Sequence, residues 1–283
     1  PDPYSYPTII NGDLKNDDVA TVDENGSVNI TNKSDNHSLL LSISVSNGGK
    51  VVLKNLIFKG SADTPQSSPA AVVINGSSMS GLEYMDEVEI ENCTFENCCN
   101  GVNINDIYEG KIENCQFTNI KSGAINFNHL EGMSFQVKKT TVENAHYGIN
   151  FGDTNASLLM YNSTFINAPL AFDVREGIVN QRQSLYNNTI IDVYPSRKSH
   201  FSKAFMYQFV GNIFGDVDMI DTEFEEGDVM SYGNLFFTES SVPSFYTDDD
   251  KAMPREYIEA ILDGSYNKTT CTATAVQNPL VVF

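Results

Sequence analysis

Two stretches decide the fold: Ile90–Ile104, IENCTFENCCNGVNI, and Lys111–Phe127, KIENCQFTNIKSGAINF. Each runs from an alternating segment to an Asn (Asn92, Asn114) and then to an aromatic three residues on (Phe95, Phe117). A second Asn follows (Asn97, Asn119), then a turn and another alternating segment. The Asn-x-x-apolar signature recurs at Asn55–Phe58, Asn162–Phe165, Asn187–Ile190 and Asn234–Phe237. Lys139–Val142 keeps the same phase, and GNIF around Asn212 is an imperfect copy. From Phe95 the apolar position steps to Phe117, Val142, Phe165 and Ile190, at intervals of 22, 25, 23 and 25 residues. The second Asn column continues through Asn144 and Asn167, with Asp192 as a substitute.

Each unit holds three short segments rich in β-branched and aromatic residues, parted by Asn/Gly turns, and helical spacing is missing. The period is too short for a propeller blade and lacks the helix of a leucine-rich repeat. The expected fold is all-β: a right-handed parallel β-helix with three strands per rung and an internal Asn ladder. At about 4.8 Å per rung, Asn55 to Asn234 accommodates roughly eight rungs. Stacked Asn side chains would bond from rung to rung inside the solenoid and satisfy the turn backbone. That reading makes Asn92, Asn162 and Asn187 inaccessible, although each opens an Asn-x-Ser/Thr glycosylation match.

The chain of 283 residues is expected to be one domain, with irregular rungs and a cap over 1–50, regular rungs over 51–237 and a C-terminal cap over 238–283. Pro254–Leu262, before Gly264, reads as a short capping helix. The five Cys form no metal-binding spacing. Cys93 and Cys115 are read as buried free thiols on neighbouring rungs, and Cys98–Cys99 as one in and one out. The net charge of −20 argues against nucleic-acid and anionic-membrane partners. No apolar run reaches the roughly 18 residues of a membrane span. The sequence begins at Pro1 without a charged-then-apolar leader, so any targeting segment is expected to lie outside it.

Aligning the third segments on Val102, Ile125, Ile149 and Phe172 gives an outward column of Asn103, Asn126, Asn150 and Asp173. The next column is Asn105, Asn128, Gly152 and Arg175, and the segment ends carry Asp106, His129, Asp153 and Glu176. Lys121 and His146–Tyr147 lie on the preceding turn. Amides repeated at strand spacing suit sugar hydroxyls. Asn103, Asn126, Asn128, Asn150, His129 and Glu176 are therefore candidate substrate contacts. Lys121, His146, Asp173 and Arg175 are candidate catalytic groups. Ca²⁺ is the one cofactor left open, with Asp153 as its candidate ligand; the acidic run Asp216–Asp228 lacks EF-hand spacing.

The two opening stretches resemble the pectate-lyase-like superfamily of single-stranded right-handed β-helices, over about residues 50–237. Within it the chain is distantly similar to the chondroitinase B/alginate lyase family. That resemblance implies a Lys base, an Arg acid and an Asn/Glu/Glu Ca²⁺ site. Lys121 and Arg175 stand in those roles two rungs apart, no Glu-x-Glu precedes Lys121, and Glu87-x-Glu89 belongs to a different strand. The three Asp of polygalacturonase-type hydrolases find only Asp153 and Asp173 as approximate counterparts. No catalytic set transfers whole, and the resemblance implies polysaccharide association. The expected function is a secreted or cell-surface, monomeric β-helix that binds or cleaves a polysaccharide along one sheet face, as a lyase or glycoside hydrolase. The alternatives are a non-catalytic carbohydrate-binding module and a structural or adhesin rod.

Overall fold

The structure, a computed structural model, describes residues 7–61, 69–77, 86–174, 182–192, 194, 197–201, 206–215, 229–237 and 251–253. Short strands stack into three parallel sheets that close into a solenoid. Sheet one comprises Lys50–Lys54, Glu87–Glu91, Glu109–Glu113, Glu131–Lys138, the end of Thr141–Tyr161, Arg182–Tyr186, Met206–Val210 and Val229–Tyr232. Sheet two runs from Thr8–Asn11 and Leu56–Lys59 through Thr94–Cys98, the starts of Gln116–Asn128 and Thr141–Tyr161, Thr164–Ile166, Thr189–Ile191 and Ile213–Gly215 to Leu235–Phe237 and Lys251–Met253. Sheet three holds Leu39–Ser44, Ala70–Asn75, Val102–Asn105, the end of Gln116–Asn128, the middle of Thr141–Tyr161, Leu170–Val174 and His200–Phe201.

The first Asn column marks the corner between sheets one and two. Asn55, Asn92, Asn114, Lys139, Asn162 and Asn187 all have φ between 50° and 59°, and Gly211 and Gly233 take their place at 67° and 65°. This left-handed region disfavours most side chains and tolerates Asn and Gly, which explains the repeat. The column is superimposed, with Asn114 Nδ2 donating to Asn92 Oδ1 at 2.6 Å. It faces outward, however: Asn114, Asn162 and Asn187 are exposed. The expectation that these Asn line the interior, out of reach of a glycosyltransferase, is corrected on this point. A left-handed corner residue turns its side chain away from the core.

The interior ladder lies one residue later: Cys93, Cys115, Thr140, Ser163, Asn188, Asn212 and Asn234, all buried. Each side chain serves the backbone of the rung before it. Ser163 Oγ accepts from Thr140 N at 3.2 Å, Asn188 Oδ1 from Ser163 N at 2.9 Å, Asn212 Oδ1 from Asn188 N at 2.9 Å and Asn234 Oδ1 from Asn212 N at 2.8 Å. These N–H groups have turned inward at the corner, and a buried unpaired N–H costs about 1–3 kcal/mol. Asn234 thus aligns with Asn212 and Asn188 rather than with Asn187, and Phe236, not Phe237, continues the apolar column. The second Asn column, at the corner between sheets two and three, is the stacked ladder foreseen: Asn119 to Asn97 at 3.1 Å, Asn144 to Asn119 at 3.4 Å and Asn167 to Asn144 at 2.9 Å, all at positive φ.

Aromatic side chains fill the bore. Phe58, Phe95 and Phe117 stack with centroids 5.0 and 4.5 Å apart, and Phe127, Phe151, Phe172 and Phe201 form a second file. Each is fully buried or nearly so, and burying such a ring contributes about 1.5–3 kcal/mol. Cys93, Cys98, Cys99 and Cys115 are buried thiols outside any disulfide. The alternation expected for Cys98–Cys99 therefore fails, because Cys99 is inside the corner, where its N–H is held by Ser61.

The N-terminal segment is a genuine first rung carrying an insertion. Val19–Val22 and Val28–Thr31 form an antiparallel hairpin. The carbonyl of Gly26, at its tip, accepts from Arg197, and Asn167 Nδ2 reaches it at 3.5 Å. Arg197 also donates to the Ala145 carbonyl, so the hairpin lies along the corner between sheets two and three. Lys251–Met253 adds a strand beyond residue 237, past the expected end of the regular rungs. The expected helix at Pro254–Leu262 lies outside the described residues, as does the acidic run at 216–228. Among the described residues no helix is long and apolar enough to cross a membrane.

Candidate functional site

The outward face of sheet three carries the amides singled out from the sequence. Val102, Ile125 and Ile149 are in register, and so are Asn103, Asn126 and Asn150. On the next rung Ile149 pairs with Leu170, Asn150 with Ala171, and Gly152 with Asp173. The expected alignment of Phe172 with Ile149 is corrected: Asp173 belongs to the column of Asn105, Asn128 and Gly152. Arg175 and Glu176 lie outside the described residues. Asp153 falls at the register shift between Gly152 and Thr154.

Two amide tracks climb this face. In the outer one, Asn105 Nδ2 donates to Asn75 Oδ1 at 2.9 Å and Asn128 Nδ2 to Asn105 Oδ1 at 3.0 Å. In the inner one, Asn126 Nδ2 donates to Asn103 Oδ1 at 2.7 Å. Asn126 is only 7% exposed, held also by Asn100 Oδ1 and the Gly123 carbonyl, so it supports the face rather than presenting itself to a ligand. Both tracks stop at the next rung. Gly152 offers no amide to Asn128, and among the described residues the half-buried Asn150 side chain has no hydrogen-bond partner. The result is a break in the ladder: Asn128 meets Gly152 and Asn150 meets Ala171, and neither finds an amide on the next rung. Asp106 and His129, at φ 53°, make the corner that follows these strands, and His129 is exposed.

Lys121 and His146 sit at the other end of the same strands. Lys121 is in the irregularity between Ile120 and Gly123, beside Ala145–Tyr147 of the next rung. His146 is exposed and meets Tyr147 edge-on at 4.4 Å. Partial desolvation and the Arg197 guanidinium hold it below the usual histidine range. At about 3.3 Å per residue, the strand separates Lys121 from Asn128 by roughly 20 Å. The structure therefore brings Asn128, Asn150 and His129 together at one end, with Asp173 in register there, and leaves Lys121 and His146 at the other.

Sheet one presents a face that the sequence reading missed. Glu89 is gripped by Lys111 at 3.0 Å, Lys54 at 3.2 Å and Lys50 at 3.3 Å. Glu113 is held by Lys138 at 2.9 Å and Lys111 at 3.2 Å. These lysines, Lys111 first, draw Glu89 down to about 2. A shallow groove of about 250 Å³ crosses this face between Lys50, Glu87, Glu89, Glu109, Lys111 and Gln136. Alternating Lys and Glu at i, i+2 on the first segments was the available signal. The ammonium groups occupy the positions a cation would need at Glu87-x-Glu89, so this pair does not fit the Ca²⁺ site that the lyase resemblance implies.

A family model described as a right-handed β-helix region matches residues 5–190, well over half of the chain. The chain belongs to the right-handed β-helix family. No curated protein and no solved structure matches it. The β-helix is a fold common to carbohydrate-active proteins, and it specifies no reaction.

Proposed function

We propose that this β-helix is a secreted or cell-surface protein that binds a polysaccharide along the outward face of sheet three, at the level of Asn128 and Asn150. The observation that carries the reading is the interrupted amide ladder. An amide offers two donors and an acceptor, the set a vicinal pair of sugar hydroxyls engages. Where rungs match, the amides satisfy one another; at Gly152 they do not, and polar capacity is left on a rigid surface at strand spacing. The net charge of −20 favours a neutral glycan over a polyanion.

Cleavage is the second reading. Its support is His146, exposed and held below the usual histidine range, so that it is neutral and able to take a proton near pH 7. In this reading Lys121, at the same end of the strands, is the partner of His146, and Asp173, at the other end, takes no part. Isothermal titration with neutral and uronate oligosaccharides separates these readings, alongside ultraviolet detection of an unsaturated product. Asn128→Ala/Asn150→Ala should weaken binding at least tenfold by the loss of two or more hydrogen bonds at about 1 kcal/mol each. Unchanged affinity in that variant, or no binding to any glycan, overturns the proposal and leaves a structural rod. Product formation that His146→Ala abolishes would replace binding by lyase chemistry.

A further inference from the structure

The insertion in the first rung brings five oxygen-bearing side chains together at the neck of the hairpin. Asp13 and Asp17 lie on the chain entering the hairpin, with Asp18 beside them. Asp35, at the end of the 3-10 turn Lys33–Asp35, and Asn36 lie on the chain leaving it. Ligand oxygens of Asp13, Asp17 and Asp35 all fall within 4.8 Å of one another. Asp13 is 6% exposed. Its Oδ2 accepts from Asp18 N at 3.1 Å, and its Oδ1 has no partner. Asp18 Oδ1, Asp35 Oδ1 and Asn36 Oδ1 are likewise shut away from solvent without a hydrogen bond. Lys15 Nζ stands 3.8 Å from Asp35 Oδ1, on a side chain 65% exposed.

Carboxylates held this way are costly. A buried anionic oxygen without a donor loses its hydration and gains nothing in return. Such a cluster is stable where a positive charge sits among the oxygens. The donor set is oxygen alone, from carboxylates and a carboxamide, which suits a hard cation. The spacing is irregular and each carboxylate can bind in one or two ways, which suits Ca²⁺ over the stricter octahedron of Mg²⁺.

We propose that Asp13, Asp17 and Asp35, flanked by Asp18 and Asn36, form a Ca²⁺ site that staples the neck of the hairpin. The cation joins residues more than twenty positions apart and fixes the base of the arm whose tip is held by Arg197 and Asn167. It is distinct from the Asp153 and Glu87-x-Glu89 positions and independent of glycan binding.

Calorimetric titration of the chelator-treated protein with CaCl₂ alone, and separately with MgCl₂, tests it, with melting temperature followed in EDTA and in CaCl₂. One Ca²⁺ should bind per chain, more tightly than Mg²⁺, with a rise in melting temperature. Asp13→Asn/Asp35→Asn should lower Ca²⁺ affinity at least tenfold and abolish the thermal response. Asp17→Asn, at an exposed position that leaves folding intact, should weaken binding in the same direction. Absence of binding and of any thermal response with either cation overturns the proposal. So does Ca²⁺ affinity unchanged in Asp17→Asn and in the double variant.

Discussion

Truncating Asn212 should unfold the β-helix far more readily than altering any outward Asn. Asn212 Oδ1 accepts from Asn188 N at 2.9 Å and Asn188 Nδ2 at 3.0 Å. Its Nδ2 donates to the Leu185 carbonyl at 2.8 Å and to Asn234 Oδ1 at 2.9 Å. All of this is dry, since Asn212, Asn188 and Asn234 are each at most 1% exposed. In Asn212→Ala the Asn188 N–H is orphaned, at about 1–3 kcal/mol, and the remaining groups lose roughly 1 kcal/mol apiece where they cannot re-pair, for a total near 4 kcal/mol. For a chain of this size that is a fall in melting temperature of about 8–16 °C. The comparison variant is Asn187→Gly: Asn187 is exposed, at φ 55°, and Gly adopts that conformation freely. Its change should stay within about 0.5 kcal/mol. Urea unfolding followed by far-UV circular dichroism, with the slope unchanged between variants, reads the difference. A loss below about 1 kcal/mol in Asn212→Ala, or a larger loss in Asn187→Gly, would refute the assignment of the inner ladder.

Two further predictions follow from the same geometry. Glu89, drawn to about 2 by Lys111, Lys54 and Lys50, is lowered from an ordinary value of 4.5. Its contribution to stability is therefore complete above that ordinary value and lost as pH falls through it toward about 2; the stability gap between wild type and Glu89→Gln should close across this window, and a gap independent of pH would contradict the pairing. Burial pushes the Cys98 thiol up to about 11, while Cys115 is pushed well up by its Cys93 neighbour and by burial. In a Cys271→Ser background, a thiol reagent at pH 8 should titrate Cys98 and Cys115 only after unfolding. Fast reaction of either in the native protein would count against the packed corner.

The repeat of Asn, Cys and Phe made the rung and its three strands legible in the sequence. Which Asn faces inward was not legible. Asn187 and Asn188, or Gly233 and Asn234, differ by one position, and both the left-handed corner and the buried ladder select Asn. The sequence reading favoured the residue that recurs most often, which is the corner residue. Lys50, Lys54, Glu89 and Lys111 alternate visibly along their segments, yet their pairing depends on neighbouring rungs.

The period, the parallel stacking and the apolar bore are properties of the sequence itself, because period-2 strands joined by left-handed turns can bury their Phe and Ile only by coiling upon themselves. Tertiary structure alone decided the register of Asp173 and the meeting of Asp13 with Asp35. The offset from Val142 to Phe165 is 23 residues and that from Ile149 to Leu170 is 21, so the corner at Pro169 is two residues shorter than the one before it. A change of two preserves the in–out alternation and leaves no trace in the hydrophobic pattern. The acidic neck depends on a hairpin folding back across 13–36, and the distance between those carboxylates exists only once the arm has closed.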